Sequence, residues 1–192
     1  MIDRHFKCLL FTLSLMLFGC ATNPVSGDRE FVTLSESQEI DQGRKYHQTI
    51  IDQYGVYDDP GLQSYVEAIG QQLAANSHRA HLEFHFTILD SPDINAFALP
   101  GGYIYITRGI MAYLDNEAEL AGVLGHEIGH VTARHSVRQQ SGQLAAGLLN
   151  ILISSVTGSQ TLQELGDQLS FGIIRGYGRK HELEADRLGA EY

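Results

Sequence analysis

The chain has 192 residues with a formal net charge of −10, and 43% of them are hydrophobic, which is enough for one domain with a real core. The acidity excludes a nucleic-acid reader, because phosphate binding needs a basic footprint. Of the two cysteines, Cys8 lies in a segment expected to be removed, so the mature chain has no disulfide to form.

Arg4 and Lys7 precede an apolar run over residues 8–18 that ends at Gly19. This is the pattern of a secretory signal peptide covering residues 1–19. A membrane-spanning helix needs about 20 apolar residues, and this run falls short. Leu17-Phe18-Gly19-Cys20 resembles a bacterial lipobox, which implies cleavage before Cys20 and a lipid on its sulfur. Phe18 is bulkier than the usual residue there, and an ordinary signal peptide with a chance cysteine is the competing reading. Lipoproteins kept in the inner membrane typically carry Asp after the cysteine, so Ala21 implies the periplasmic face of the outer membrane. Residues 20–34 read as a lipidated tether that becomes ordered near Phe31.

The domain proper is expected over residues 35–192. Ser35 opens a helix with Gln38 as its capping-box partner, and Asp59-Pro60 opens a second that runs to about Asn76. Residues 81–90 alternate, with Leu82, Phe84, Phe86 and Ile88 on one face and His81, Glu83, His85 and Thr87 on the other, which predicts a half-buried strand. Residues 94–99 and 103–107 predict two more strands around the turn Pro100-Gly101-Gly102. Asn116, with Glu119 as partner, caps a long helix whose core stripe is Leu120, Val123, Leu124, Ile128 and Val131. Two apolar runs over residues 143–177 predict a helical hairpin, which serves either as a lid or as ordinary core. The last helix starts near Arg179, and its end at Tyr192 reads as a truncation.

The chemistry sits in His126-Glu127-Ile128-Gly129-His130. Two imidazoles four residues apart on a helix are one turn apart on nearly the same face, so both reach one ion. Zinc takes imidazole nitrogen at about 2.0–2.1 Å, and its catalytic sites use three protein ligands plus water. Glu127 is placed to act as the base toward that water. A third ligand is needed, and His181-Glu182-Leu183-Glu184-Ala185-Asp186 offers candidates.

Here the sequence resembles a known family. His126-Glu127-x-x-His130 paired with Glu182-x-x-x-Asp186 is similar to the gluzincin metallopeptidases that include the CAAX prenyl endopeptidase, HtpX, BepA and LoiP, the LoiP-like periplasmic lipoprotein proteases above all. Asn23-Pro24-Val25-Ser26-Gly27, Asn95-Ala96-Phe97-Ala98-Leu99-Pro100-Gly101-Gly102 and Val131-Thr132-Ala133-Arg134-His135 carry the same resemblance. It implies an α+β fold: a mainly helical zincin-like domain with a small mixed sheet and one zinc between the two motif helices. It implies Glu182 as the third zinc ligand and Asp186 as the group that orients a ligand histidine. It implies that Asn95, Ala96, Phe97 and Ala98 form a sheet edge along which a peptide lies extended, where the residues alone also fit a plain core strand. The implied activity is zinc-dependent hydrolysis of peptide bonds in unfolded or misassembled envelope proteins. A chaperone-like or inactive zinc-binding lipoprotein is the alternative.

Glu184 lies about 200° from Glu182 around a helix and is expected to matter little. His135, about 140° round the helix from His130, is expected to point away from the metal and to hydrogen-bond within the fold. His181 is expected to face elsewhere, and His78, His81 and His85 are set aside as a solvated group.

Overall fold

The computed structural model describes residues 20–157 and 177–192. The expected signal peptide, and residues 158–176 of the expected hairpin, lie outside the described residues.

Local chemistry sets the first helices where the sequence places them. Ser35 accepts from the Gln38 amide at 3.3 Å while its own amide donates to the Gln38 side chain at 2.9 Å, and α1 (Glu36–Tyr54) follows. Asp59 caps α2 (Pro60–Ala75) by accepting from the Leu62 amide at 2.9 Å.

Ahead of them, residues expected as a tether form a hairpin instead. β1 (Cys20–Thr22) pairs antiparallel with β2 (Arg29–Phe31). The Asn23 side chain closes the turn by accepting from the Val25 and Ser26 amides.

β3 (His85–Leu89), β4 (Ala96–Leu99) and β5 (Tyr103–Thr107) form a mixed sheet in the order β3-β5-β4. β5 runs parallel to β3 and antiparallel to β4. Both faces of β5 are covered. Ile104 and Ile106 join the core made by α2 and the later motif helix, while Tyr103 and Tyr105 pack with Ile50 of α1. The predicted strand over residues 81–90 begins four residues late, because the chain turns at residues 77–82 to bury the Arg79 side chain. His81 therefore leaves the strand and meets Glu36, while His85 stacks on Tyr103. The strand expected from residue 94 begins at Ala96, since Asn95 is occupied with Thr107.

A short helix, α3 (Arg108–Met111), leads to α4 (Glu117–Thr132), where Asn116 accepts from the Glu119 amide at 3.1 Å. The chain then breaks at Ala133-Arg134, with Arg134 at φ 55, and restarts as α5 (His135–Thr157). The first arm of the expected hairpin, from residue 143, thus lies within a longer helix that starts at His135. α6 (Arg179–Glu191) lies against α4 in very close contact: a Cβ on Gly189 would stand 2.6 Å from the His126 nitrogen. No described helix is long and apolar enough to cross a membrane.

Candidate metal centre

The α4–α6 contact sets the geometry of the site. On α4, His126 is half-buried, while Glu127 and His130 are buried, each facing the crossing with α6. Glu182 lies in the first turn of α6. His126 Nε2 and His130 Nε2 are 2.9 Å apart, and Glu182 Oε2 lies 3.4 Å from the first and 3.9 Å from the second. Two donors that share one ion at about 2.0–2.1 Å must lie within about 4.2 Å of each other, and all three pairs do. Two imidazole nitrogens and a carboxylate are also the donor types that zinc accepts. These three residues are the one such cluster among the described residues.

Each donor is held from behind. His126 Nδ1 lies 2.8 Å from Asp186 Oδ1. The Tyr177 amide donates to Glu182 Oε1 at 3.3 Å, which leaves Oε2 toward the histidines. The Tyr177 ring stacks on His130 at 4.1 Å. His130 Nδ1 lies 2.8 Å from Nδ1 of His135, and His135 Nε2 lies 3.1 Å from Glu184 Oε2.

The helical wheel turns His135 away from the metal; the structure also leaves it outside the three-donor cluster but sets it against His130. The wheel assumed one continuous helix, but the left-handed residue Arg134 ends α4 and swings His135 back onto His130. Arg134 is fixed by Glu39 at 2.9 Å and the Leu34 carbonyl at 2.8 Å. Glu184 does face away from the metal donors, yet it ends on His135. Tyr177 carried no signal in the sequence, since nothing local marks it as adjacent to His130.

Burial dominates the electrostatics. Burial and the nearby Glu182 push the Glu127 carboxyl up to about 8. Burial, helped by the neighbouring His135, His126 and His181, pushes His130 down to about 2. Burial pushes His135 down to about 4 against the opposing Glu184. Burial thus keeps His130 neutral, with a lone pair to offer, and the closeness of Glu182 works against charge on Glu127, an arrangement that a divalent cation relieves.

β4 borders the site. It is an outer strand, and among the described residues only β5 pairs with it. Asn95, Ala96, Phe97 and Ala98 line the hollow that holds His126, Glu127, His130 and Glu182, together with Tyr54 and Tyr177. A second hollow continues past Asn95 and Ala96 toward Ile110, Leu114 and Val123.

Comparison with known proteins agrees with this geometry. The model for Peptidase family M48 matches residues 60–192. The beta-barrel assembly-enhancing protease of Escherichia coli (strain K12) is 30% identical over 179 residues, covering 88% of this chain and 37% of that protein. Its counterpart in Yersinia pestis is 35% identical over 178 residues, covering 88% and 36%. The mitochondrial metalloendopeptidase OMA1 of Schizosaccharomyces pombe is 29% identical over 174 residues, covering 86% and 50%. The chain thus spans between a third and a half of these relatives' length. Since the family match covers well over half of the chain and contains both helices that bring the donors together, the chain belongs to peptidase family M48, the metallopeptidases.

Proposed function

We propose that this chain carries the catalytic domain of a zinc-dependent endopeptidase that cleaves unfolded or misassembled envelope proteins. The observation that carries the reading is the convergence of His126, His130 and Glu182 beside a buried Glu127, at the open edge of β4. His126, His130 and Glu182 hold the metal, and Asp186 orients His126. Bound there, zinc supplies Lewis acidity toward the scissile carbonyl and toward water. The peptide lies along Asn95, Ala96, Phe97 and Ala98, gaining main-chain hydrogen bonds that fix it beside the donors. Glu127 takes a proton from the attacking water as its oxygen bonds to the carbonyl carbon, then returns a proton to the amide nitrogen as the C–N bond breaks.

Unfolded casein with purified protein, with and without chelator, tests this. Cleavage is expected only with metal. Glu127→Gln is expected to lower it by about 10²- to 10⁴-fold while zinc stays bound. Stoichiometric zinc with no cleavage by the unaltered protein would favour a chaperone-like role instead.

The same reading places the protein on the periplasmic face of the outer membrane, held by a lipid on Cys20. The lipobox-like Leu17-Phe18-Gly19-Cys20 supports it. Cys20→Ala is then expected to leave the membrane fraction with its leader uncleaved. A variant that stays with membranes through a carbonate wash and is processed normally rules the anchor out.

A further inference from the structure

Within the metal-centre reading, on which this rests, one ligand lacks the usual partner. A metal-bound histidine ordinarily gives its second N–H to a carboxylate, a carbonyl or water. His126 fits that pattern through Asp186 at 2.8 Å. His130 meets another imidazole instead, His135, nitrogen to nitrogen at 2.8 Å.

Two ring nitrogens at that distance share one proton, and the rest of the site decides where it sits. His130 Nε2 must present a lone pair to the metal, so the His130 proton is on Nδ1. His135 Nδ1 is then the acceptor, and its own proton is on Nε2. That N–H points at Glu184 Oε2, 3.1 Å away, which as a carboxylate only accepts. Every donor and acceptor in the row from His130 to Glu184 is matched in one direction only.

We infer that His135 and Glu184 are positioning residues for the metal ligand His130, forming a hydrogen-bonded row that runs from the metal donor out to a carboxylate. Its surroundings hold the row rigid. His135 is fully buried, and its ring stacks on His181 at 4.4 Å with the planes 16° apart. Glu184 also accepts from Arg138 at 3.1 Å, and Arg138 reaches Glu30 of β2 at 3.1 Å. The row therefore ends on the N-terminal hairpin. His135 is not a fourth ligand, because it lies on the side of the His130 ring opposite the metal-facing Nε2.

Two measurements test it. Zinc affinity by chelator competition is expected to weaken about 10- to 100-fold in His135→Leu, which keeps the bulk and removes the acceptor. His135→Asn is expected to recover most of that loss, because its side-chain oxygen still accepts from His130; a role in packing alone would not give this rescue. Nitrogen-15 NMR of the zinc-loaded, unaltered chain is expected to show His135 protonated at Nε2 and bare at Nδ1, and it decides the matter even if His135→Leu does not fold. A proton on His135 Nδ1, or unchanged zinc affinity in a folded His135→Leu, overturns the row and leaves the metal centre standing. An unaltered chain that binds no zinc overturns the metal centre itself.

Discussion

Glu127 is buried on α4 near Glu182, and its carboxyl keeps a proton up to about 8, whereas His130 and His135 refuse theirs down to about 2 and about 4. In metal-free protein these shifts oppose each other. Below about pH 6.5 the unfolded chain takes up histidine protons that the fold excludes, so stability is lost as pH falls. His47 and His181, also held low mainly by burial, act in the same sense. So do Glu36 and Glu184, whose hydrogen bonds outweigh their burial. Above about pH 7, where the unfolded histidines have mostly lost their protons, Glu127 dominates: the unfolded carboxyl has lost its proton while the folded one retains it, so stability is lost as pH rises. The metal-free chain is therefore expected to be most stable near pH 7 and to lose up to about 1 kcal/mol by pH 8. Glu127→Gln should flatten that alkaline arm. Urea unfolding in chelator across this range checks it, and an unaltered chain with no alkaline loss refutes the assignment.

At the scale of elements, the site depends on two helices packed backbone to backbone. A Cβ on Gly189 of α6 would stand 2.6 Å from the His126 nitrogen and 2.7 Å from the Gly125 carbonyl carbon, neither of which can move without its helix. Gly189→Ala is expected to force α6 off α4, costing about 1–3 kcal/mol as overpacking does. Because Glu182 moves with α6, zinc affinity should fall about tenfold or more. Gly122 of the same α4 has nothing within 4 Å of an added Cβ. Gly122→Ala is therefore expected to stabilise slightly, by about 0.5–1 kcal/mol, and to leave zinc affinity unchanged. Unfolding curves and chelator competition on the pair separate crowding from loss of glycine flexibility. Equal behaviour of the two variants would refute the close-packing argument.

Across the whole molecule, one buried ion cluster joins segments distant in sequence. Arg79 is 0% exposed and donates to Glu39 at 2.8 Å, to Glu36 at 2.9 Å and to the Val131 carbonyl near the end of α4 at 3.0 Å. Glu39 also accepts from Arg134, whose left-handed backbone ends α4. The cluster thus fixes the place where the chain leaves α4 and returns toward it as His135. Glu39→Gln keeps the shape and leaves two buried guanidiniums short of charge, for which about 3–5 kcal/mol is expected. Against a typical total of about 5–15 kcal/mol, that is a large loss, visible as a much lower urea midpoint. A loss under about 1 kcal/mol would mean the cluster is not holding the fold.

Whatever depends on neighbours a few residues away was legible in the sequence. Ser35, Asp59 and Asn116 cap their helices because a side-chain oxygen finds an amide three residues on. His126 and His130 share a face because a helical turn is 3.6 residues long. Ile104 and Ile106 part from Tyr103 and Tyr105 because a strand alternates. The rest required contacts that chain-local rules do not contain. The late start of β3 follows from burying Arg79 against Glu39, forty residues earlier in the chain. The break at Arg134 follows from Glu39 and Leu34, and without that break His135 would point away from His130. Glu184 and Tyr177 reach the site because α6 crosses α4 at glycines, an approach set by packing between helices some sixty residues apart. The sequence by itself determined the pair of histidines and the carboxyl between them; the tertiary structure decided what holds them in place, because the groups behind each imidazole are brought there by long-range packing rather than by helical period.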